Sequence, residues 1–138
     1  MVGVLLITHG SLGEELLAAA AHVLGGEQAH VRAIGVAPTD DQPTVWAAAR
    51  GALAEIDQGD GVIVFSDIYG ATPCNTAARL LVPGRVECIA GVNLPMLVKT
   101  LAYRALPIEQ VLARAKDAGE QGQIDIKEEM AHAAAGRI

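Results

Sequence analysis

The chain has 138 residues, a net charge of -6, 51% hydrophobic residues and 3% aromatic residues. Such a length suits one domain around one core, and an acidic balance with few aromatics excludes the basic grooves and stacking platforms that nucleic acid requires. The apolar runs are short and broken by Gly, Pro, Asp or Asn, so none reaches the roughly 20 residues of a membrane-spanning helix.

Residues 3–8 form a continuous apolar run ending at His9-Gly10, which reads as a strand buried on both faces, as in a parallel sheet. The apolar start has no basic lead-in and no cleavage region, so it is not a secretory signal. Ser11 and Glu14 have capping-box spacing ahead of a helix whose apolar stripe is Leu16, Leu17, Ala20 and Leu24, with Gly25-Gly26 as its stop. Residues 31–36 read as a second strand. Asp40 or Asp41 with Pro43 opens a second helix reaching about Asp57, and residues 61–65 are a third strand ending in Ser66-Asp67. Thr72-Pro73 has the N-cap and first-turn signature of a third helix, stopped by Pro83-Gly84. Residues 86–90 are a fourth strand. Asn93-Leu94-Pro95 and Pro107 start two more helices, reaching about Tyr103 and Gly119. Residues 123–126 are expected as one further short strand and 131–138 as a fraying tail, so the domain is expected to span 1–130. Strand and helix alternate throughout, which implies an α/β fold with a mainly parallel sheet and right-handed crossovers.

In such a sheet ligands gather beyond the carboxyl ends of the strands, where the winding reverses. His9 and Asp67 both end strands. If strand 2 lies on one side of strand 1 and strand 3 on the other, His9 comes to stand beside Asp67. A histidine with one ring nitrogen donated to a carboxylate keeps the other as a free acceptor, which suits attack on phosphorus. Two helix amino ends open at the same edge, at Gly10-Ser11 and at Gly70-Ala71-Thr72, and their amides and hydroxyls would cradle a phosphoryl group. Taken singly, His9 also reads as a polar loop residue, Asp67 as a turn residue, and Ser11 and Thr72 as plain caps. Convergence of His9 and Asp67 on one edge, beside glycine turns, carries the functional reading.

His22, His30 and His132 have no carboxylate partner in the pattern, and Lys and Arg are scattered. Cys74 and Cys88 form no CxxC and fall in helical and extended segments, so neither metal nor disulfide is indicated and a reducing cytoplasm fits. Asn93-Leu94-Pro95-Met96 follows strand 4 and reads either as lining for the site or as a helix cap with core packing.

Three blocks then combine: Ile7-Thr8-His9-Gly10, Asp67-Ile68-Tyr69-Gly70-Ala71-Thr72-Pro73-Cys74-Asn75, and Ala90-Gly91-Val92-Asn93-Leu94-Pro95-Met96-Leu97. Together they resemble the IIA domain of the mannose-family sugar phosphotransferase system, nearly along the whole chain. The resemblance implies a phosphotransferase component that accepts phosphate from phospho-HPr on His9 and passes it to a IIB protein, with Asp67 holding the histidine. It implies sheet order 2-1-3-4 and a homodimer exchanging a last antiparallel strand, for which residues 123–126 are the candidate. It involves no metal or cofactor, and membrane contact only through permease subunits. Relatives that serve uptake often carry Gly-Gly-Ser-Pro-Phe-Asn where this chain has Gly70 to Asn75, and no IIB region follows. Sugar uptake and a regulatory role both stay open.

Two rivals share features. The phosphotransfer subunit of a dihydroxyacetone kinase also has a strand-end histidine, but the Asn93-Leu94-Pro95-Met96 block counts against it. A sirohydrochlorin-type chelatase opens with His-Gly-Ser but needs a second histidine for its metal, and the later half has only His132. Histidine phosphatases need clamping arginines near the site and response receivers need an acidic pair after strand 1, and the pattern around Thr8-His9 offers neither.

Overall fold

The four apolar runs form four parallel strands in the computed structural model, which describes residues 1–136. In chain order the elements are β1 (Gly3–His9), α1 (Leu12–Leu24), β2 (Val31–Val36), α2 (Gln42–Ile56), β3 (Val62–Ser66), α3 (Thr72–Leu80), β4 (Val86–Ala90), α4 (Leu94–Ala102), α5 (Ile108–Gln121) and α6 (Ile126–Ala134). The sheet order is β2-β1-β3-β4 and every pairing is parallel.

The two central strands carry the longest apolar runs because both of their faces are covered. Alternate residues of a strand point to opposite faces. Val4 and Leu6 accordingly join Ile63, Phe65, Leu97, Val111 and Ala115 in one core, while Leu5 and Ile7 join Val62, Val64, Val45, Ala49, Ile56 and Leu80 in the other. α1, α4 and α5 cover the first face, and α2 and α3 cover the second. The helix signals read from the sequence hold at three places. Asp41 accepts from the Thr44 amide, Asn93 accepts from the Met96 amide, and Gly25, at φ 84°, closes α1 in the left-handed conformation.

Three expectations need correction. The Ser11–Glu14 capping box does not form: Ser11 sits at φ -91°, ψ 9°, away from the extended geometry that aims a capping hydroxyl, and its side chain makes no cap bond. The Gly13 amide instead donates to the buried hydroxyl of Thr8, at 2.8 Å. Thr72 is the first residue of α3 and not its cap; Ala71 holds the extended cap position. Residues 123–126 are not a strand, because Asp125 caps α6 by accepting from the Glu128 amide and good helix formers follow. The chain at 131–134, expected to fray, continues that helix, of which no residue is buried. The remainder of the expected tail, 137–138, lies outside the described residues.

Candidate functional site

Parallel pairing of β1 with β3 aligns Ile7 with Ser66, so β1 runs two residues past the end of β3 at the same edge of the sheet. His9 is the last residue of β1 and Asp67 follows β3 directly. One carboxylate oxygen of Asp67, Oδ2, accepts the His9 amide at 2.9 Å and lies 2.8 Å from His9 Nδ1. The other, Oδ1, accepts the Ile68 amide at 3.0 Å. Asp67 therefore fixes both the backbone and the ring of His9. Its side chain is 11% exposed, against 54% for His9, so the ring is anchored from beneath and open above.

Burial is the largest single influence on Asp67 and raises its pKa, but the hydrogen bonds from the His9 amide, the His9 ring and the local backbone, with the attraction of the ring, together outweigh it. The carboxyl sits below the ordinary carboxylate value. An ionised carboxylate only accepts, so Nδ1 of the neutral ring carries the hydrogen and Nε2 keeps a free lone pair. The sign of the linkage follows from the depressed value. The stabilisation is complete above the ordinary carboxylate pKa of about 4 and is lost as pH falls through the lower folded value. The His9–Asp67 contact should persist between pH 7 and 5 and break only in stronger acid, as followed by nitrogen chemical shifts of the ring; its loss by pH 5 would contradict this electrostatic account.

A cleft of about 370 Å³ opens beside the ring, lined by His9, Gly10, Val36, Ala37, Pro38, Asp40 and Thr72. Of the five residues expected to cradle phosphate, Gly10 and Thr72 line this space. Ser11, Gly70 and Ala71 do not, although Ala71 is the cap of α3 and Gly70, at φ 87°, makes the left-handed turn before it. Because α3 begins at Thr72, the unpaired amides of its first turn and the positive end of its dipole lie at this edge.

The loop after β2 is the part that sequence reasoning missed. Asp40 accepts the Ala37 amide at 2.8 Å and returns its own amide to the Ala37 carbonyl at 3.1 Å, folding 37–40 into a tight wall. The signal was available in principle, since a strand pairing beside β1 must also end at this edge. β2 approaches so closely that a Cβ on Gly35 would meet the Gly10 carbonyl oxygen at 2.2 Å. Gly35→Ala is expected to cost about 1–3 kcal/mol in urea denaturation and to shift the His9 and Gly10 amide signals, because the clashing atom is backbone.

The Asn93 block belongs elsewhere. Asn93 caps α4 and donates to the Gly119 carbonyl at 3.1 Å, tying α4 to α5. None of His22, His30 and His132 lines the cleft. Burial and neighbouring Glu87 and Cys74 push the Cys88 thiol up to about 11. Among the described residues, no group of three or more His, Cys, Asp or Glu could hold a metal ion, and no helix is long and apolar enough to cross a membrane.

Residues 3–116 match the family model EIIA-man, described as the PTS system fructose IIA component. The chain is 36% identical over 124 residues to the PTS system mannose-specific EIIAB component of Escherichia coli (strain K12), an alignment covering 88% of this chain and 38% of that relative. It is 28% identical over 123 residues to the PTS system fructose-specific EIIA component of Bacillus subtilis (strain 168), covering 88% of this chain and 84% of that one. Among solved structures, the phosphotransferase component EIIA from Streptococcus agalactiae superposes with a TM-score of 0.82 at 19% identity, covering 93% and 99% of the two chains. The mannose/sorbose-specific IIA subunit from Enterococcus faecalis gives 0.80 at 24% identity, covering 90% and 93%. These structural likenesses bear on the fold alone. Neither the dihydroxyacetone kinase subunit nor the chelatase is favoured by the matches.

Proposed function

The chain belongs to the EIIA-man family of phosphotransferase-system IIA components, and we propose that it is a phosphohistidine carrier with His9 as the residue that receives and releases the phosphoryl group. The observation that carries this reading is the paired contact of Asp67 with the His9 amide and ring, which leaves Nε2 at the open edge.

In the forward step the Nε2 lone pair forms a bond to the phosphorus of a donor phosphohistidine, here phospho-HPr, and the donor ring nitrogen takes back the pair of the bond that breaks. Bonds of one kind are made and broken, so the exchange is close to balanced and runs in either direction. Asp67 faces the positive charge that the His9 ring gains on forming the bond and holds the ring aligned for in-line attack. Gly10, Ser11, Gly70, Ala71 and Thr72 are proposed to hold the phosphoryl oxygens, with Thr72 and the start of α3 contributing most because they wall the cleft.

We further propose a IIB component of a mannose-family permease as acceptor in sugar uptake, with a regulatory role as the alternative reading, and a homodimeric assembly in the cytoplasm. Incubation with phosphoenolpyruvate, enzyme I and HPr should place close to one phosphate on each chain, in a linkage labile in acid and stable in alkali. No incorporation, or an alkali-labile linkage, would overturn the proposal.

A further inference from the structure

Alternate residues of β1 point to the same side of the sheet, so Thr8 continues the row of Val4 and Leu6, which belong to the core beneath α1. Thr8 is fully buried, as they are. Valine has nearly the same shape without the cost of burying a hydroxyl, so packing alone does not account for threonine here. The hydroxyl accepts the Gly13 amide at 2.8 Å, five residues further along the chain. Gly13 is buried as well, and its lack of a side chain permits the approach: a Cβ there would meet Thr8 Oγ1 at 3.1 Å, Leu6 Cβ at 3.3 Å and Ala33 Cβ at 3.4 Å. Because the Ser11 side chain makes no cap bond, Thr8 takes over that role from the strand and ties the start of α1 to β1.

The same bond closes the chain around His9. Between its two partners, His9 donates its amide to Asp67, and Gly10, in a left-handed turn at φ 53°, donates its amide to the Val36 carbonyl at 3.0 Å. The segment 8–13 is thus held once from the β3 side, once from β2 and once by its own Thr8–Gly13 contact. We infer that Thr8 is a positioning residue for phosphoryl transfer: by docking α1 on β1 it fixes the Gly10–Ser11 turn relative to Nε2, so that the turn meets the phosphoryl oxygens in the transition state. The inference rests on the reading of His9 given above. Thr8 touches no reacting atom and acts through the turn. A small misplacement of such a turn is felt in the chemical step and not in the encounter with the donor.

The test compares Thr8→Val, which keeps the shape and loses the hydroxyl, with Thr8→Ser, which keeps the hydroxyl, using phospho-HPr and the small donor phosphoramidate. Thr8→Val should lower the transfer rate at saturation by roughly tenfold to a hundredfold, by the same factor with both donors, and leave KM for phospho-HPr unchanged. The Gly10 and Ser11 amide signals should move, while the His9 ring nitrogens keep the shifts of the Asp67-bound state. Thr8→Ser should restore most of the rate. Should Thr8→Val not fold, Gly13→Ala serves in its place: it gains helix propensity, presses α1 away from the strand, and should show the same pattern with a smaller fall. A folded Thr8→Val, or in its absence Gly13→Ala, that transfers at the wild-type rate would overturn the inference while leaving the His9 reading intact. So would a Thr8→Ser as slow as Thr8→Val, or a loss confined to phospho-HPr. A wild-type chain labelled by neither donor would sink both.

Discussion

His9→Ala is expected to lose all measurable phosphoryl acceptance, a fall of at least about a thousandfold, because the substitution removes the atom that forms the bond. None of the remaining histidines lines the cleft, so none stands in for it. The fold should survive. His9 is half-exposed and lies at the end of β1, and its amide, which bonds to Asp67, is retained in the variant. Urea denaturation should therefore place His9→Ala within about 1 kcal/mol of the wild type, as for surface changes. A folded variant that is still labelled at the normal rate would refute the assignment.

The second large effect is expected at Asp67. Truncation to alanine removes the acceptor for three groups at once: the His9 amide, the His9 ring and the Ile68 amide. The ring then samples other orientations, and the Nδ1 hydrogen that defines Nε2 as nucleophile is no longer held. Loss of an orienting carboxylate should slow transfer by about a hundredfold or more, measured as a single turnover from phospho-HPr. Because Asp67 is mostly buried, the same change should cost about 1–3 kcal/mol of stability through its unpaired amides. Asp67→Asn should recover much of the stability and little of the rate, since an amide oxygen accepts the His9 amide without supplying charge. Equal recovery of rate and stability would mean that Asp67 acts only as a structural tie.

How far the sequence anticipates this arrangement depends on how local each signal is. β1 and β3 are legible because continuous apolar runs ending in polar turns have few other readings, and the pairing of His9 with Asp67 follows once they are neighbours. Asn93 is legible as a cap, and the second helix's cap is legible to within Asp40 or Asp41, because each sits just ahead of a helix with Pro in its first turn. Ser11 and Thr72 misled for one shared reason: a hydroxyl near a helix start is a cap only in one backbone geometry, which spacing does not encode. The strand expected at 123–126 was the candidate for the last strand that the family resemblance implies. The Asp125 to Glu128 capping spacing and the helix formers beyond were the stronger local signal. The wall at 37–40 was legible only in part: the expected pairing of β2 with β1 brings its loop to this edge, but the Ala37–Asp40 turn and the close approach of Gly35 to Gly10 are not encoded in spacing.

The central claim is that Asp67 holds Nδ1 and leaves Nε2 to carry phosphate. Nitrogen and phosphorus NMR of the chain, labelled with phosphoenolpyruvate, enzyme I and HPr under alkaline conditions that preserve phosphohistidine, identifies both the residue and the ring atom in one sample. The expected result is a single phosphohistidine at His9, bonded through Nε2, with Nδ1 still protonated toward Asp67. Phosphate on another residue, or on Nδ1 of His9, would contradict it.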